Sequence, residues 1–271
     1  MSAPRLPAWK ASRYREWFLS AIRKEPFDYQ LDILTRNRPM CINKARQIGV
    51  STALACLAVV YAGLGGKKVL IASKDLGSSV HILNDYCWDF LRPMLEGGII
   101  SKPTTDQRTL LQWDNGGEIR SVPARAEHAR GYPVDLLILD EFAHFTQEEG
   151  LDKKMKTALV PTLAQRGGWG IYCSTPNGTV NEFYRMWTDP EFPAADKITI
   201  PYTDCPTLKV RKDVRPFGTV YFVGETGKEV PFDEDSFRQE FMNDFFVGSN
   251  EAILRTALYA ALVESDEGAW G

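Results

Sequence analysis

The stretch KARQIGVST, residues 44–52, decides the fold of this chain, because it has the outline of a phosphate-binding loop. Laid over the pattern G-x-x-x-x-G-K-[ST], Gly49 takes the second glycine and Ser51 the hydroxyl residue, while Val50 stands where the lysine normally stands. Such a loop needs backbone N–H groups at a helix N-terminus to cradle phosphates. It also needs a cation for the β and γ oxygens and a hydroxyl for Mg²⁺.

The sequence on either side of the loop predicts a strand, a loop and a helix in that order. Residues 39–42 (PMCI) indicate a short buried strand, and residues 51–64 (STALACLAVVYAGL) indicate a mostly apolar helix. The required cation is then Lys44 or Arg46, both inside the quoted stretch. The alternative is an ordinary β–α turn without a ligand, and the loop alone does not decide between the two.

A second motif lies further along the chain at VDLLILDE, residues 134–141. A run this apolar suits a strand buried on both faces, as in a parallel sheet. Asp140, at its carboxyl end, is then placed to hold Mg²⁺ through water, and Glu141 to polarise the attacking water. The alternative is a strand followed by an acidic helix N-cap. Taken together with the loop, the motif predicts a P-loop ATPase.

Composition is that of an ordinary soluble globular protein: 44% of the 271 residues are hydrophobic and 25% are charged. The formal net charge is −3, so any contact with DNA requires a local basic patch. No segment has the pattern of a signal peptide or a bilayer span. Cysteine spacing predicts no disulfide framework or zinc site and fits a reducing cytosol. The cysteines are Cys41, Cys56, Cys87, Cys173 and Cys205.

Strand and helix signals alternate up to about residue 190 and then change character. Strands are predicted at 67–73 and 169–174 within the alternating part, which indicates an α/β core with a largely parallel sheet. Beyond it, short strand signals at 197–201 and 219–223 precede a helix signal at 233–246.

These signals predict a division of the chain into a domain and a tail. We expect an ATPase domain over residues 1–248, with its core at about 38–190. A small lid subdomain is expected from 1–37 and about 191–248. Residues 249–271 are expected to form a C-terminal tail or linker.

The order of the motifs resembles the ATPase domain of viral terminase large subunits, the motors that package DNA into bacteriophage capsids. FDYQ at 27–30 resembles the adenine-reading segment of these motors, and RQIG at 46–49 resembles their R-Q-x-G core. A branch of the family carries its lysine at the start of the loop, as Lys44 is placed. The acidic pair at 140–141 follows, and STP at 174–176 resembles the family's coupling motif.

The resemblance implies a P-loop NTPase of RecA/ASCE-like class, with a mostly parallel sheet flanked by helices and a small lid. By the same resemblance, Glu141 orients the attacking water, and Ser51 and Asp140 hold Mg²⁺. Arg46 serves as a phosphate cation or as an arginine finger in cis, unless it only forms a salt bridge that shapes the loop. Arg130 reaches the ATP of a neighbouring subunit in trans, unless it is a plain surface residue.

Further roles follow from the same resemblance. Tyr29 and Gln30 are expected to stack on and read the adenine. Ser174, Thr175 and Pro176 are expected to sense the γ-phosphate and couple its loss to the lid. The full set of expected ATP contacts is Tyr29, Gln30, Lys44, Ala45, Arg46, Gln47, Ile48, Gly49, Val50, Ser51 and Thr52.

The function implied is an ATP-hydrolysing motor that translocates double-stranded viral DNA into a procapsid, with Mg²⁺ accompanying the ATP substrate. Expected partners are double-stranded DNA, the portal protein, the small terminase subunit and further copies of the chain in a ring. The expected location is the host cytoplasm, without a membrane. The family's nuclease domain is expected after the point where this chain ends, so we expect no nuclease activity.

Two alternatives remain open from the sequence. The first is another nucleic-acid-stimulated ATPase, such as a superfamily 2-like helicase, which needs a second RecA-like domain. The D-E-x-x-H string ending at His144 is similar to some helicases, but we expect His144 to be structural. The second alternative is a degenerate P-loop protein that binds nucleotide as an assembly element. Val50 favours it, and Glu141 argues against it.

Overall fold

A large twisted sheet forms the centre of the molecule. The computed structural model describes residues 10–125, 131–146, 148–193, 196–216, 218–224 and 230–245. The strands of the large sheet are, in chain order, β1 (Met40–Lys44), β2 (Lys68–Ser73), β3 (Thr105–Gln107), β4 (Leu110–Gln112), β5 (Glu118–Pro123), β6 (Leu136–Asp140), β7 (Trp169–Ser174) and β8 (Lys197–Ile200).

The strands lie side by side in the order β3-β4-β5-β2-β6-β7-β1-β8. Every pair from β5 to β8 is parallel, and only the pairs that involve β3 or β4 are antiparallel. The predicted α/β class with a mostly parallel sheet is therefore confirmed. The turn at 114–117 joins β4 and β5 as an antiparallel hairpin.

Helices cover both faces of this sheet. They are α1 (Ala11–Ile22), α2 (Asp28–Arg36), α3 (Val50–Val59), α4 (Leu76–His81), α5 (Trp88–Glu96), α6 (Leu151–Ala164), α7 (Glu182–Thr188) and α8 (Glu234–Phe241). Wide π-helical turns at Val60–Leu64 and Ile82–Cys87 extend α3 and join α4 to α5. Short 3₁₀ turns lie at Phe142–His144 and Tyr202–Asp204.

The apolar run of β6 explains why the sheet is buried on both sides. Its alternate residues Leu136 and Ile138 join a core cluster with α1, α3 and α5. Leu137 and Leu139 join a second cluster with α6 and α7 on the other face. Since successive side chains of a strand point to opposite faces, a continuous apolar strand needs helices on both.

The loop strand and the carboxylate strand are separated by one strand, because β7 lies between β1 and β6. All three are parallel, so their carboxyl ends meet at one edge of the sheet. One boundary differs from the prediction: Lys44 is the last residue of β1 rather than the first of the loop. It pairs with Ile200 of β8 in the parallel register, and this pairing extends the strand beyond the predicted 39–42.

A smaller antiparallel sheet follows the large one, in the order β11-β10-β9. Its strands are β9 (Lys209–Arg215), β10 (Gly218–Gly224) and β11 (Val230–Asp233), and α8 packs on one face of it. These elements cover part of the predicted lid. By contrast, α1 packs on α5 of the large domain, where the rings of Phe18 and Phe90 lie 5.0 Å apart. The division into core and lid stays a prediction, and residues 249–271 lie outside the described part.

Within the described ranges, no helix combines the length and the apolar character that crossing a membrane requires.

Candidate functional site

Four polar residues from distant parts of the sequence meet at the carboxyl edge of the large sheet. Lys44 Nζ donates to Glu141 Oε1 at 2.6 Å, and Ser51 Oγ donates to Asp140 Oδ2 at 2.9 Å. Lys44 ends β1, Ser51 lies in the first turn of α3, and the two carboxylates end and follow β6. The two motifs singled out in the sequence thus form one site.

The loop before α3 has the backbone shape of an anion-binding nest. Gln47 and Gly49 both lie in the left-handed region, at φ 60° and 73°. Alternation of right- and left-handed residues turns successive N–H groups toward one side. The N–H groups of Ala45 and Arg46 already donate to the carbonyls of Ile200 and Glu240, at 2.8 and 2.7 Å. The N–H groups from Gln47 onward are therefore our candidates for phosphate contacts.

Tyr29 and Gln30 hold the loop from the side of α2. The Tyr29 hydroxyl donates to the carbonyl of Ile48 at 2.5 Å, and Gln30 Nε2 donates to that of Gly49 at 2.7 Å. Gln30 Oε1 also accepts from the N–H of Phe27 at 2.9 Å. Both residues predicted to meet adenine are therefore tied to the loop backbone.

An open cleft lies beside this contact. It has a volume of about 490 Å³ and is lined by Phe27, Tyr29, Arg15 and Asp204, among others. That volume is in the range of small-molecule sites. The adenine role of Tyr29 and Gln30 stays a prediction, with this cleft as the candidate space for the base.

Lys44 is a buried cation, with a side chain only 6% exposed. Burial alone would lower the pKa of Lys44, but the charges of Glu141 and Asp140 outweigh burial and raise that pKa above its usual value. Lys44 is therefore charged at neutral pH. A solvated lysine that merely ends a strand would not be buried to this extent.

The two carboxylates respond differently to the same surroundings. Burial raises the pKa of Asp140, and Lys44 only partly offsets it. Burial also opposes ionisation of Glu141, but Lys44 outweighs it and holds the pKa of Glu141 below its usual value. Glu141 also has a left-handed backbone, at φ 56°, which is strained for a residue with a side chain. Its Oε2 is buried and has no hydrogen-bond partner among the described residues.

Arg46 forms its described ion pair with Glu240 rather than with either of the two carboxylates. Its side chain is 54% exposed, and a terminal guanidinium nitrogen lies 3.6 Å from Glu240 Oε2 of α8. A second contact reinforces this connection, because Asn43 of β1 and Asn243 after α8 exchange hydrogen bonds at 2.9 and 3.1 Å. The loop and β1 are therefore held against α8 and the residues that follow it, and α8 packs on the small sheet.

The predicted coupling residues contact the turn that follows Glu141. Ser174 Oγ accepts from the N–H of Ala143 at 3.1 Å, and Thr175 Oγ1 lies 2.9 Å from His144 Nε2. Burial lowers the pKa of His144, so the ring is neutral at pH 7 and fits the expected structural role. Ser174 and Thr175 thus contact the turn that follows the acidic pair, so a change at either residue would affect that turn.

The oxygen pair of Ser51 and Asp140 fits Mg²⁺. Mg²⁺ prefers hard oxygen ligands and is usually held by one or two protein groups together with substrate phosphates. Among the described residues, no three His, Cys, Asp or Glu side chains form a metal-binding group. A metal at this position would therefore depend on nucleotide oxygens as further ligands, as expected for a cation that arrives with ATP.

Some site contacts were not expected from the sequence. Cys173 Sγ donates to Asp140 Oδ1 at 3.1 Å, and the two residues are paired in the register of β6 and β7. Glu240 and Asn243 reach the loop from about two hundred residues away. No local sequence pattern identifies these contacts, and only the order of the strands in the fold could predict them. Arg130, the predicted finger in trans, lies outside the described residues.

Gln30→Ala is expected to weaken ATP binding by about tenfold, because it removes two hydrogen bonds that each contribute roughly 1 kcal/mol to the placement of α2 and the loop. Tyr29→Phe, which removes one bond to the same loop, is the matched comparison and is expected to have a smaller effect. Calorimetric titration with a non-hydrolysable ATP analogue measures both. Unchanged affinity in Gln30→Ala would contradict a role in shaping the loop.

The architecture defines a class of protein. A phosphate-type loop links β1 to α3, β6 ends in two carboxylates, and β7 lies between the two strands. This is a P-loop NTPase fold of the RecA/ASCE-like type.

Solved structures with this fold include terminase ATPase domains. The large terminase ATPase domain of Thermus phage P74-26 aligns with a TM-score of 0.60 at 20% identity, over 84% of this chain and 97% of that one. A mutant of that domain aligns with a TM-score of 0.61, over 84% and 98%. The large terminase of bacteriophage HK97 aligns with a TM-score of 0.52 at 15% identity, over 95% of this chain and 53% of that one.

The resemblance predicted from the sequence is thus confirmed as a likeness of fold to terminase ATPase domains. No protein-family model and no curated protein matches the sequence.

Proposed function

We propose that the chain is an ATP-hydrolysing motor domain that translocates double-stranded DNA into a viral procapsid. The observation that carries the ATPase part is the meeting of Lys44, Ser51, Asp140 and Glu141 within hydrogen-bond distance at one sheet edge. The fold shared with terminase ATPase domains supports the motor part. The proposed partners are a ring of further copies, a portal protein and a small terminase subunit, in the host cytoplasm.

In this proposal the loop and the N-terminus of α3 receive the phosphates. The helix N-terminus contributes roughly half a positive charge, and loop N–H groups from Gln47 onward donate to phosphate oxygens. Lys44 supplies the buried cation, with Arg46 as a second one nearer to solvent. Ser51 and Asp140 hold Mg²⁺, which when bound neutralises developing charge on the phosphates.

Glu141 is the residue we assign to the attacking water. Its carboxylate is ionised because Lys44 holds its pKa down, and its Oε2 accepts no hydrogen bond from the described residues, with His144 Nε2 3.9 Å away. A general base must be ionised and within hydrogen-bond reach of its proton. Lys44 connects Glu141 to the phosphate loop, so an anion bound at the loop competes with Glu141 for the same ammonium group.

Two structural connections lead away from the site. One runs from Glu141 through the Phe142–His144 turn to Ser174 and Thr175. The other runs from Arg46 to Glu240 in α8, which carries the small sheet. We propose these as the routes by which loss of the γ-phosphate moves the lid.

Measuring ATP hydrolysis with and without double-stranded DNA tests the proposal. The expected result is Mg²⁺-dependent hydrolysis that double-stranded DNA stimulates without separating its strands. Strand separation would favour the helicase alternative. Tight ATP binding with no hydrolysis, alone or with DNA, would favour the binding-only protein suggested by Val50.

Arg130→Ala is expected to abolish a concentration-dependent part of the ATPase rate. A finger that acts in trans needs a neighbouring subunit and contributes roughly 10³–10⁵ in rate. The wild-type rate per subunit should therefore rise with protein concentration, while the variant stays slow throughout. Arg92→Ala, at an exposed position of α5, is the control. A wild-type rate independent of concentration, with Arg130→Ala unimpaired, would move the finger role to Arg46 in cis.

A further inference from the structure

The carboxylate of Asp140 is held at both oxygens, each by a different side chain. Oδ2 accepts from Ser51 Oγ at 2.9 Å, and Oδ1 accepts from the thiol of Cys173 at 3.1 Å. Asp140 is only 5% exposed, so these contacts replace most of the water that a carboxylate at the surface would bind. The proposed function uses the contact with Ser51 and assigns nothing to the contact with Cys173.

The sheet places the thiol of Cys173 beside this carboxylate. Asp140 of β6 and Cys173 of β7 are partners in the parallel register, so their side chains lie next to each other on the same face. This face is the one covered by α3, because Ile138 and Ile171, two residues before each of them, pack in the cluster that contains α3. Ser51 lies in the first turn of α3. The three side chains therefore meet on regular secondary structure, which fixes their positions.

A small core residue is the ordinary role of a buried cysteine. Cys41 and Cys56 fit that role, since both lie fully buried in the apolar clusters. Cys87 also packs in the core, with its thiol 3.9 Å from the carbonyl oxygen of Ala55. Cys173 differs from these residues because its thiol is much closer to its acceptor, at 3.1 Å, and because that acceptor is a carboxylate. Packing alone requires no acceptor at that position.

Ser73 is another residue that could orient Asp140. Strands β2 and β7 flank β6, and the register of β2 continues so that Ser73 lies beside Asp140, on the side opposite Cys173. The hydroxyl of Ser73 is buried, but it has no hydrogen-bond partner among the described residues. In this structure the orientation of the Asp140 carboxylate therefore depends on Cys173 and Ser51.

We propose that Cys173 is a positioning residue for the metal that accompanies the nucleotide. Its thiol holds Oδ1 of Asp140, so that Oδ2 stays turned toward Ser51, the other residue proposed to hold Mg²⁺. Groups that fix a metal-binding side chain in this way typically contribute roughly 10- to 100-fold in metal affinity. A thiol is a weak donor, so the lower end of that range is expected. The inference rests on the proposed function and adds a positioning residue from β7.

Two pairs of variants separate the hydrogen bond from packing. Cys173→Ala removes the donor, whereas Cys173→Ser keeps one, since a hydroxyl donates to a carboxylate as a thiol does. Cys41→Ala and Cys41→Ser make the same changes at a cysteine of β1, the strand next to β7, that is also 0% exposed. Cys41 packs on the opposite face of the sheet, away from α3, and is therefore the matched control.

Calorimetric titration with a non-hydrolysable ATP analogue, first with Mg²⁺ and then with EDTA in its place, measures the contribution of the metal to binding. Cys173→Ala is expected to bind the analogue about tenfold more weakly than wild type with Mg²⁺, and equally well in EDTA. Cys173→Ser should recover most of this loss. Both changes at Cys41 should leave the two affinities as in wild type, whatever their effect on thermal stability. A change in packing alone would lower both affinities together or neither.

An infrared measurement tests the hydrogen bond without nucleotide. Donation to an oxygen weakens the S–H bond, so the S–H stretching band that Cys173→Ser removes should lie at lower frequency than the band that Cys41→Ser removes. This comparison remains possible if Cys173→Ala does not fold. Equal frequencies for the two bands would overturn the proposal.

Two results of the calorimetric titration would overturn the proposal as well. One is a ratio of affinities with and without Mg²⁺ that is the same in Cys173→Ala as in wild type, which would leave Cys173 as a core residue. The other is a Cys173→Ser protein that binds as weakly as Cys173→Ala with Mg²⁺. Because calorimetry needs no turnover, a wild type that never hydrolyses ATP, but whose metal-dependent affinity is lost in Cys173→Ala, would contradict only the proposed ATPase.

Discussion

Glu141→Gln is expected to remove nearly all ATP hydrolysis while leaving ATP binding within about threefold of wild type. The change keeps the size of the side chain and an oxygen that accepts from Lys44, but it deletes the negative charge that polarises water. General-base catalysis contributes roughly 10²–10⁴ in rate, so a decrease of that size is expected in the turnover number. ATP affinity should be kept, because the proposed phosphate contacts come from the loop and from Lys44.

Single-turnover hydrolysis and calorimetric ATP binding, measured on the same preparation, separate these effects. Glu16→Gln makes the same chemical change at an exposed residue of α1, in an ion pair with Arg13, and should match wild type in both measurements. Hydrolysis by Glu141→Gln at the wild-type rate would show that another group activates the water. Loss of both ATP binding and ATP hydrolysis in Glu141→Gln would instead show that Glu141 shapes the loop through Lys44.

The pH dependence of hydrolysis follows from the same ion pair. Lys44 lowers the pKa of Glu141, so the carboxylate stays ionised as pH falls through the usual range for glutamate. Protonation of Glu141 is therefore expected to slow hydrolysis only below the usual glutamate pKa of about 4.3, whereas Asp140, whose pKa burial raises, should lose its charge at a higher pH than an ordinary aspartate. In Lys44→Ala the lowering is lost and burial dominates, so the acid limb should move to higher pH. A pH–rate profile of both proteins measures this shift.

The central sheet could be predicted because its strands carry local signals. Strand β7 lies at Trp169–Ser174, as expected from its apolar run, and β6 ends at Asp140 as predicted. A strand buried on both faces needs an unbroken apolar run, which a short window of sequence reveals. Helix α6 is not among the predicted elements, and it contains Pro161, a residue type that normally interrupts helices.

Contacts between distant segments could not be predicted in the same way. The ion pair of Lys44 and Glu141 joins residues 97 positions apart, and it depends on β7 placing β1 close to β6. The contact between Arg46 and Glu240 depends on where the small sheet returns to the large domain. Residue types alone identified both candidate cations, but only the fold shows that one is buried beside the carboxylates and the other is half exposed.

Lys44→Ala is expected to weaken ATP binding by about ten- to a hundredfold, whereas Val50→Ala should leave affinity nearly unchanged. Hydrogen bonds to charged groups are worth roughly 1.5–3 kcal/mol, and each 1.4 kcal/mol is a factor of ten in affinity. Lys44→Ala also leaves Asp140 and Glu141 adjacent without their shared cation, which should slow turnover of the ATP that does bind.

Val50 is the matched control because it occupies the place of the usual lysine in the motif yet is only 1% exposed in the core. Removing its two methyl groups should lower the free energy of unfolding by about 2 kcal/mol without removing a phosphate contact. Thermal melting separates that loss from an effect on ATP, since Lys44→Ala must bind weakly even at temperatures where it is fully folded. Equal, small effects of the two changes on affinity would contradict the relocated lysine. Arg46, already half in solvent and held by Glu240, would then be the loop's phosphate cation, and Arg46→Ala would have to show the large loss instead.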